Sequence, residues 1–314
     1  MKIAMIGGAG FIGSHLAKEL SEHEVTAIDS LMVNNLYSNE PFSELRARIL
    51  RDRIDNLACR LIIADARNYN ILSPICKVLD PNVIVHLAAI SHQGKARKEP
   101  HNTFDHSMRT LENALDISLS LKARRFIYFS SSTVYGDWPE SGIVDESMEC
   151  RPKGIYGSLK LAGEMLVKSY AREYGLEYTI IRPSALYGPG CVSGRVIEMF
   201  IEQAKSGEAL NATDEMLDFT YVSDLVRGVR LAIESPQAAN QTYNLTYGEG
   251  RPVVDAANII ARRYNTSVNF IQRDEGFSNR GTLSIQKARR EIGFVPGVSL
   301  QSGVPHYMRW RDGV

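Results

Sequence analysis

The sequence predicts an α/β fold: a Rossmann-type doubly wound parallel sheet with a smaller C-terminal substrate-binding lobe. Three observations carry this. Short apolar runs alternate with amphipathic stretches through the first half of the chain. The first run, Lys2–Ile6, enters at once a glycine-rich turn, Gly7-Gly8-Ala9-Gly10-Phe11-Ile12-Gly13. The alternation then loosens after about Ser184, where Gly188-Pro189-Gly190 breaks it. Strands that alternate with helices build a parallel sheet covered on both faces.

Taken in order, the expected strands are Lys2–Ile6, Val25–Ile28, Leu61–Ile63, Val83–Leu87, Phe126–Ser130 and Tyr178–Arg182. Each is a short apolar run of the kind a strand buried on both faces shows. The expected helices between them are Phe11–Leu20, Ile71–Leu79, Thr103–Leu121 and Ile155–Tyr174. Pro41–Asn56 is charged and reads as helical, an insertion after the second strand with no evident role. Further helical patterns follow at Val196–Lys205, Ser223–Glu234, Val253–Tyr264 and Leu300–Trp310. The expected division is a dinucleotide-binding domain over 1–184 and the smaller lobe over 185–314. A segment near 220–245 is expected to return to the main sheet.

Composition narrows the partners. The 314 residues carry 36 basic and 36 acidic side chains, a formal net charge of zero. That gives no electrostatic reason to expect nucleic acid or an anionic membrane. No apolar run reaches about 18 residues, so no membrane span is expected. The opening Met-Lys-Ile-Ala-Met-Ile is too short and too soon broken by glycine to act as a secretion signal. Cys59, Cys76, Cys150 and Cys191 are scattered, with no C-x-x-C spacing. They read as reduced thiols of a cytoplasmic protein. The seven histidines do not cluster with them, so no metal site is expected.

The glycine run fits a dinucleotide turn at Gly7, Gly10 and Gly13. Glycine lets the backbone approach a pyrophosphate, and the helix starting at Phe11 and Ile12 points its positive end at that anion. Asp29, at the end of the second strand, is placed to accept from ribose hydroxyls and to repel a 2′-phosphate, which favours NAD over NADP. Asp65, after the third strand, stands on a loop that can reach the adenine.

Tyr156 and Lys160 are four residues apart and share a helix face. A free tyrosine is a poor base at neutral pH, and the expectation is that the Lys160 ammonium and a positive nicotinamide ring together lower its pKa. Tyr156 can then take a hydroxyl proton while hydride leaves the same carbon, and Lys160 can also hold the nicotinamide ribose, so both count among the expected cofactor-binding residues. The pair follows Ser130-Ser131-Ser132-Thr133-Val134-Tyr135-Gly136, a hydroxyl cluster at a strand end, where parallel sheets bind their ligands. A lone Tyr-x-x-x-Lys is common by chance; the combination is not.

Together with His86-Leu87-Ala88-Ala89, Arg182-Pro183, Tyr187-Gly188-Pro189-Gly190, Asp218-Phe219-Thr220-Tyr221-Val222 and Lys287-Ala288-Arg289, these motifs resemble the extended short-chain dehydrogenase/reductases. The resemblance is to their nucleotide-sugar epimerase/dehydratase branch, UDP-glucose 4-epimerase-like, and runs from Met1 to about Pro296. It implies an enzyme that binds NAD tightly and acts on sugars carried by a nucleoside diphosphate. It implies Ser131 as the active-site hydroxyl, Ala88 and Ala89 along the cofactor cleft, and an adenine-facing role for Asp65.

Within that branch, the two positions after the active-site hydroxyl distinguish the chemistry. Dehydratases that resemble this chain carry acids there; this chain has Ser132 and Thr133, as epimerases have small residues. The expectation is therefore an NAD-dependent epimerase acting at C4 through a transient 4-keto sugar. A dehydrogenase or 4-ketoreductase with exchangeable cofactor is the nearest alternative. A 4,6-dehydratase or a dinucleotide sensor without chemistry stands behind both.

Three departures from the family pattern stand out. Leu217 replaces the arginine commonly found before Asp-Phe-x-x-Val, Ala209–Met216 is a few residues shorter than the usual nucleotide-base loop, and His106 and Arg109 replace Asn and Gly. All are expected on substrate-facing elements. Arg195 and Arg280 are the replacement candidates for the diphosphate, since arginine suits phosphate forks. His92 reads as polar surface rather than as part of the catalytic set. A homodimer is implied by resemblance, through helices Thr103–Leu121 and Ile155–Tyr174. Leu111, Leu115, Leu119, Leu161, Met165 and Leu166 would supply its apolar surface.

Overall fold

The computed structural model describes residues 1–33, 35, 36, 43–91, 93–139, 142–272 and 278–314. The chain starts with β1 (Lys2–Ile6), α1 (Phe11–Glu19), β2 (Glu24–Asp29), α2 (Glu44–Asp55), β3 (Arg60–Ile63), α3 (Tyr69–Leu79) and β4 (Val83–His86). Next come α4 (Gln93–Lys98), α5 (Pro100–Phe104), α6 (Thr110–Ser120), β5 (Arg125–Phe129), β6 (Ile143–Val144), α7 (Gly154–Tyr174) and β7 (Tyr178–Arg182). The remainder is built from β8 (Leu186–Tyr187), α8 (Val196–Lys205), β9 (Leu210–Ala212), β10 (Met216–Asp218), β11 (Thr220–Tyr221) and α9 (Val222–Glu234). It closes with β12 (Gln241–Asn244), β13 (Gly250–Pro252), α10 (Val253–Tyr264), β14 (Val268–Phe270), β15 (Thr282–Leu283), α11 (Gln286–Ile292) and α12 (Leu300–Asp312).

Seven strands form one sheet in the order β12-β7-β5-β4-β1-β2-β3. Every pair in it is parallel. This is the expected doubly wound sheet, with β12 as the returning segment. The central strands are buried nearly throughout, β4 and β5 at every residue. Strands covered on both faces can afford no polar alternation, which is why they read as continuous apolar runs. The order reverses between β1 and β4, and ligands of open α/β sheets bind at that crevice.

One core cluster joins Ile3, Met5 and Leu16 near the start of the chain to Val222, Val229, Tyr243 and Phe294 near its end. α9 and α11 thus cover the sheet with α1, although they follow the first-half pattern by many residues. A second cluster gathers Phe200, Leu210, Phe219, Ile260, Val304 and Tyr307 into a core of its own. The four cysteines are free thiols, and no helix among the described residues is long and apolar enough to cross a membrane.

The expected single helix Thr103–Leu121 is instead three pieces. α5 starts at Pro100, a proline in its first turn, and a π-helical turn over Asp105–Arg109 joins it to α6. Such one-turn widenings re-aim side chains and concentrate at functional sites. α7 ends where Gly175 adopts φ +73°, a left-handed cap that glycine takes without cost. On its inner face a Cβ at Gly163 would lie 2.1 Å from the Tyr128 hydroxyl, so glycine there sets how closely α7 approaches β5.

Candidate active site

The glycine turn sits at the crevice that the topology leaves between β1 and β4. Gly7 donates to Ile28 O at 2.8 Å, and Leu87 and Ala88 both donate to Ile6 O. Gly7 has φ +82°, and a Cβ on it would meet Ala88 N at 2.6 Å. A Cβ at Gly13 would meet Gly8 O at 2.3 Å. Only glycine lets strand, turn and helix close up this far, and the result is a cradle at the N-terminus of α1.

A cleft runs from this cradle. Gly7, Gly10, Phe11, Ile12, Gly13, Asp29, Asp65, Ala88 and Ala89 all line it. The structure therefore gathers every sequence-predicted cofactor residue outside α7 onto one surface. Its donor set suits a dinucleotide: backbone N–H groups at a helix start for a pyrophosphate, and a carboxylate beyond the second strand for a ribose. Asp29 is held by two backbone donors, Ala9 N at 3.0 Å to Oδ2 and Leu31 N at 2.8 Å to Oδ1. Burial pushes its carboxyl pKa up, against those hydrogen bonds. Each oxygen retains acceptor capacity.

Asp65 stands on the cleft with its carboxylate engaged by a neighbour. Its carboxylate is engaged by Arg67, through Nε at 3.0 and 3.1 Å and Nη2 at 2.6 Å. Arg67 reaches on to Asp105 at 2.9 Å. Asp65 thus borders the cleft as half of a bidentate ion pair. His106 corrects the sequence reading. The π-helical turn aims it at the cofactor cleft, with Thr110, and not at the substrate side. Arg109 instead faces solvent in an ion pair with Glu112.

A second cavity of about 490 Å³ opens beside the first. Ile12, Leu87, Ala89, Ser91 and Arg195 border both, so the two form one continuous site. Ser131, Ser132, Thr133, Tyr156, Lys160, Arg195 and Arg280 all line the second cavity. The three catalytic candidates therefore converge. They come from the C-terminal end of β5 and the first turns of α7.

Ser131 Oγ accepts from Thr133 N at 3.2 Å and from Thr133 Oγ1 at 3.0 Å, which fixes its position at the head of a 3-10 turn, Ser132–Tyr135. Lys160 donates from Nζ to Phe129 O at 2.7 Å and lies over the Tyr128 ring. Burial lowers its pKa to about 8, with the Glu164 charge acting the other way. Below that value the ammonium keeps two further N–H donors for a ligand.

Tyr156 is held as a desolvated phenol. Burial raises its pKa; the Arg195 charge and a hydrogen bond with Ser131 oppose this. The cation that counters burial at the phenol is Arg195. The Lys160 ammonium is turned toward the Phe129 carbonyl. The protein alone therefore holds Tyr156 as a neutral phenol, poised to respond to any positive charge brought into the site.

Beneath these groups lies a buried ion pair. Arg182 Nη2 meets Glu164 Oε2 at 2.6 Å, and Arg182 Nε meets Oε1 at 2.8 Å. Ser130 donates to the same Oε1 at 2.6 Å. Tyr135 and Asn244 extend the network through Arg182 Nη1 and the Tyr135 hydroxyl. One carboxylate thus ties α7, the serine turn and β7 together.

On the substrate side, Leu217 lines the cavity where an arginine was the expected pattern. Arg280 lines the same cavity, paired with Glu215 at 3.1 Å. Arg195 has no acidic partner among the described residues; its Nε donates to Ser193 Oγ at 3.2 Å. Sequence reading missed Glu215, Phe200 and Thr213 in the substrate cavity, and Arg53, Val192 and Ser193 in the cofactor cleft. None of them belongs to a motif. They come from loops and from helices whose position only the folded chain fixes. His92 lies outside the described residues.

The profile of the NAD dependent epimerase/dehydratase family matches residues 3–246. The chain is 28% identical to an uncharacterized UDP-glucose epimerase of Bacillus subtilis, covering 97% of this chain and 96% of that one. Among solved structures it superposes on the Thermotoga maritima UDP-glucose 4-epimerase with UDP-glucose. The TM-score is 0.88 and the identity 26%, over 100% of this chain and 99% of the other. The Bacillus cereus UDP-glucuronic acid 4-epimerase, in complex with UDP-glucuronic acid and NAD, gives a TM-score of 0.89 at 26% identity with the same coverage.

Proposed function

The chain belongs to the NAD dependent epimerase/dehydratase family, and we propose that within it this protein is a nucleotide-sugar C4 epimerase that retains its NAD through turnover. The observation that carries this reading is the convergence of Ser131, Tyr156 and Lys160 on one cavity whose neighbouring positions, Ser132 and Thr133, hold no acid. Elimination of a sugar hydroxyl needs an acid or base poised there; proton transfer at C4 alone does not.

When bound, NAD supplies a hydride acceptor and donor and a positive charge. The chain's own residues do the rest. Tyr156 takes the C4 hydroxyl proton and later returns it. Ser131, oriented by Thr133, hydrogen-bonds the oxygen as it becomes a carbonyl and turns back into a hydroxyl. Lys160 anchors the cofactor side. Gly7, Gly10, Phe11, Ile12 and Gly13 cradle the pyrophosphate; Asp29 takes a ribose; Ala88 and Ala89 line the cleft. Arg195, which borders both cavities, is the first choice for the sugar-nucleotide diphosphate. Arg280 is the second, because Glu215 already engages it.

In this reading residues 1–184, with the return near 220–245, carry NAD. Residues 185–314 provide the substrate lobe. The relatives that bind UDP-glucose and UDP-glucuronic acid make UDP-hexoses the first substrates to try. A homodimer and a cytoplasmic setting belong to the same reading. The test is to incubate the holoenzyme, with no added cofactor, with UDP-, dTDP-, GDP- and CDP-sugars and to separate the products. A C4 epimer of one of them is the expected result. Turnover that requires added NAD(P)(H) would assign the protein to the dehydrogenases or 4-ketoreductases instead.

A further inference from the structure

Helix α2 has no role in the account so far, yet its last turn reaches the cofactor cleft. Arg53 lines the cleft together with Asp29, Ser30 and Val33. Its Nη2 donates to Gly190 O at 2.5 Å. Its Nε is buried with no acceptor among the described residues. A guanidinium carries five N–H donors and is costly to bury without acceptors. Its position therefore calls for a further oxygen-rich partner, and the cleft it borders is the one that suits a dinucleotide.

The carbonyl it holds belongs to the segment that flanks the cleft on the other side. Val192, Ser193 and Arg195 line the cleft, and Gly190 directly precedes them. Two more contacts fix the same segment. His15 of α1 donates from Nε2 to Pro189 O at 2.8 Å, and Tyr307 of α12 donates to Cys191 O at 3.0 Å. Val192 itself packs on Ile49 and Leu50 of α2 in a small buried cluster. The insertion after β2 is thus docked on the 188–195 segment by an apolar contact and a cationic one, both beside the cleft.

We propose that Arg53 controls cofactor release: one guanidinium lines the cofactor cleft and holds a second segment that lines it. The inference rests on NAD being the ligand of that cleft, and it gives the retained cofactor of the proposed function a physical origin. Arg53 is a positioning residue here. It acts on no reacting atom of the sugar.

The experiment follows NAD release directly. Holoenzyme is mixed with excess fluorescent etheno-NAD and the exchange rate is read, with no sugar present. Arg53→Met is expected to release NAD roughly ten- to hundredfold faster, the loss of one charge-assisted hydrogen bond. Arg53→Lys keeps charge but not the planar fork, and should fall between that variant and the wild type. Ile49→Ala loosens the same docking with Arg53 intact and should also speed release. Release from Arg53→Met at the wild-type rate overturns the proposal. If that variant does not fold, wild-type rates in both Arg53→Lys and Ile49→Ala overturn it equally. Fast exchange in the wild type would refute the retained-cofactor reading instead, while the ratio of variant to wild-type rates still decides the role of Arg53.

Discussion

Tyr156 shows how a residue's surroundings decide its chemistry. Desolvation makes its phenol resist ionisation, and the Arg195 charge and a Ser131 hydrogen bond oppose that. A cation added by the cofactor therefore has the largest effect where the proton must move. Tyr156→Phe keeps the ring and removes the proton carrier. We expect the epimerisation rate to fall by about 10²–10⁴-fold, the range for losing a general acid–base. Bound NAD, read by absorbance of the denatured supernatant, should be unchanged. Glu164 acts at the same scale but on stability. It is fully buried and is the carboxylate facing Arg182, itself 4% exposed. Glu164→Gln leaves a buried guanidinium without its counter-ion, which costs about 3–5 kcal/mol. Chemical denaturation should show that loss. A change below about 1 kcal/mol would mean that water reaches Arg182, since solvated pairs contribute that little.

Among the elements, α8 closes one wall of the substrate cavity and carries a buried carboxyl near its start. Glu198 accepts from Gly194 N at 2.9 Å, and burial, with the neighbouring Glu202 charge, raises its pKa to about 7. A carboxyl whose pKa is higher folded than unfolded favours the fold when protonated. Its contribution is present below the unfolded value near 4.5 and is lost as pH rises through about 7. Glu198→Gln mimics the protonated form. It should be more stable than the wild type at pH 8, by about 1–3 kcal/mol, and should converge with it by about pH 4, below the unfolded value. Thermal melts at the two pH values check this; a constant difference would contradict it.

The elements also divide by how far the sequence reveals them. β1, β7, α8 and α10 match the expected spans to the residue, because apolar period and flanking glycines are local signals. The break at Asp105–Arg109 was not legible: a π-helical turn needs one extra residue per turn and leaves the composition unchanged. The short strands β9, β10, β13 and β14 were missed for a related reason. Three-residue strands are fixed by their partners, not by a pattern of their own. The cofactor cradle was legible because its glycines are demanded by close backbone approach. Arg53 was not, since an arginine in a charged helix has the look of solvated surface until the fold brings Gly190 to it.

For the whole molecule, the two core clusters show why residues far apart in the chain act together. The sheet core takes α9 and α11 from the second half, so the NAD-facing crevice is stiffened from both ends of the sequence. The apolar surface expected for dimerisation is narrower than the sequence suggested. Leu111 and Leu115 are fully buried in the protein's own core. Of the six, Met165 on α7 is 63% exposed, and Leu119, Leu161 and Leu166 are half-buried. If α7 pairs with its copy, light scattering should give twice the 35.0 kDa chain mass, and Met165→Glu should halve it. A monomer in the wild type would remove the dimer from the account.

The central claim is that hydride leaves and returns to C4 of the same sugar on retained NAD. Proton NMR of the holoenzyme with UDP-glucose and UDP-glucuronic acid in deuterated water, with no cofactor added, tests it most directly. The account predicts a C4 epimer whose carbon-bound positions contain no deuterium. Deuterium at C3 or C5, or no conversion until NAD(P)(H) is supplied, would contradict it.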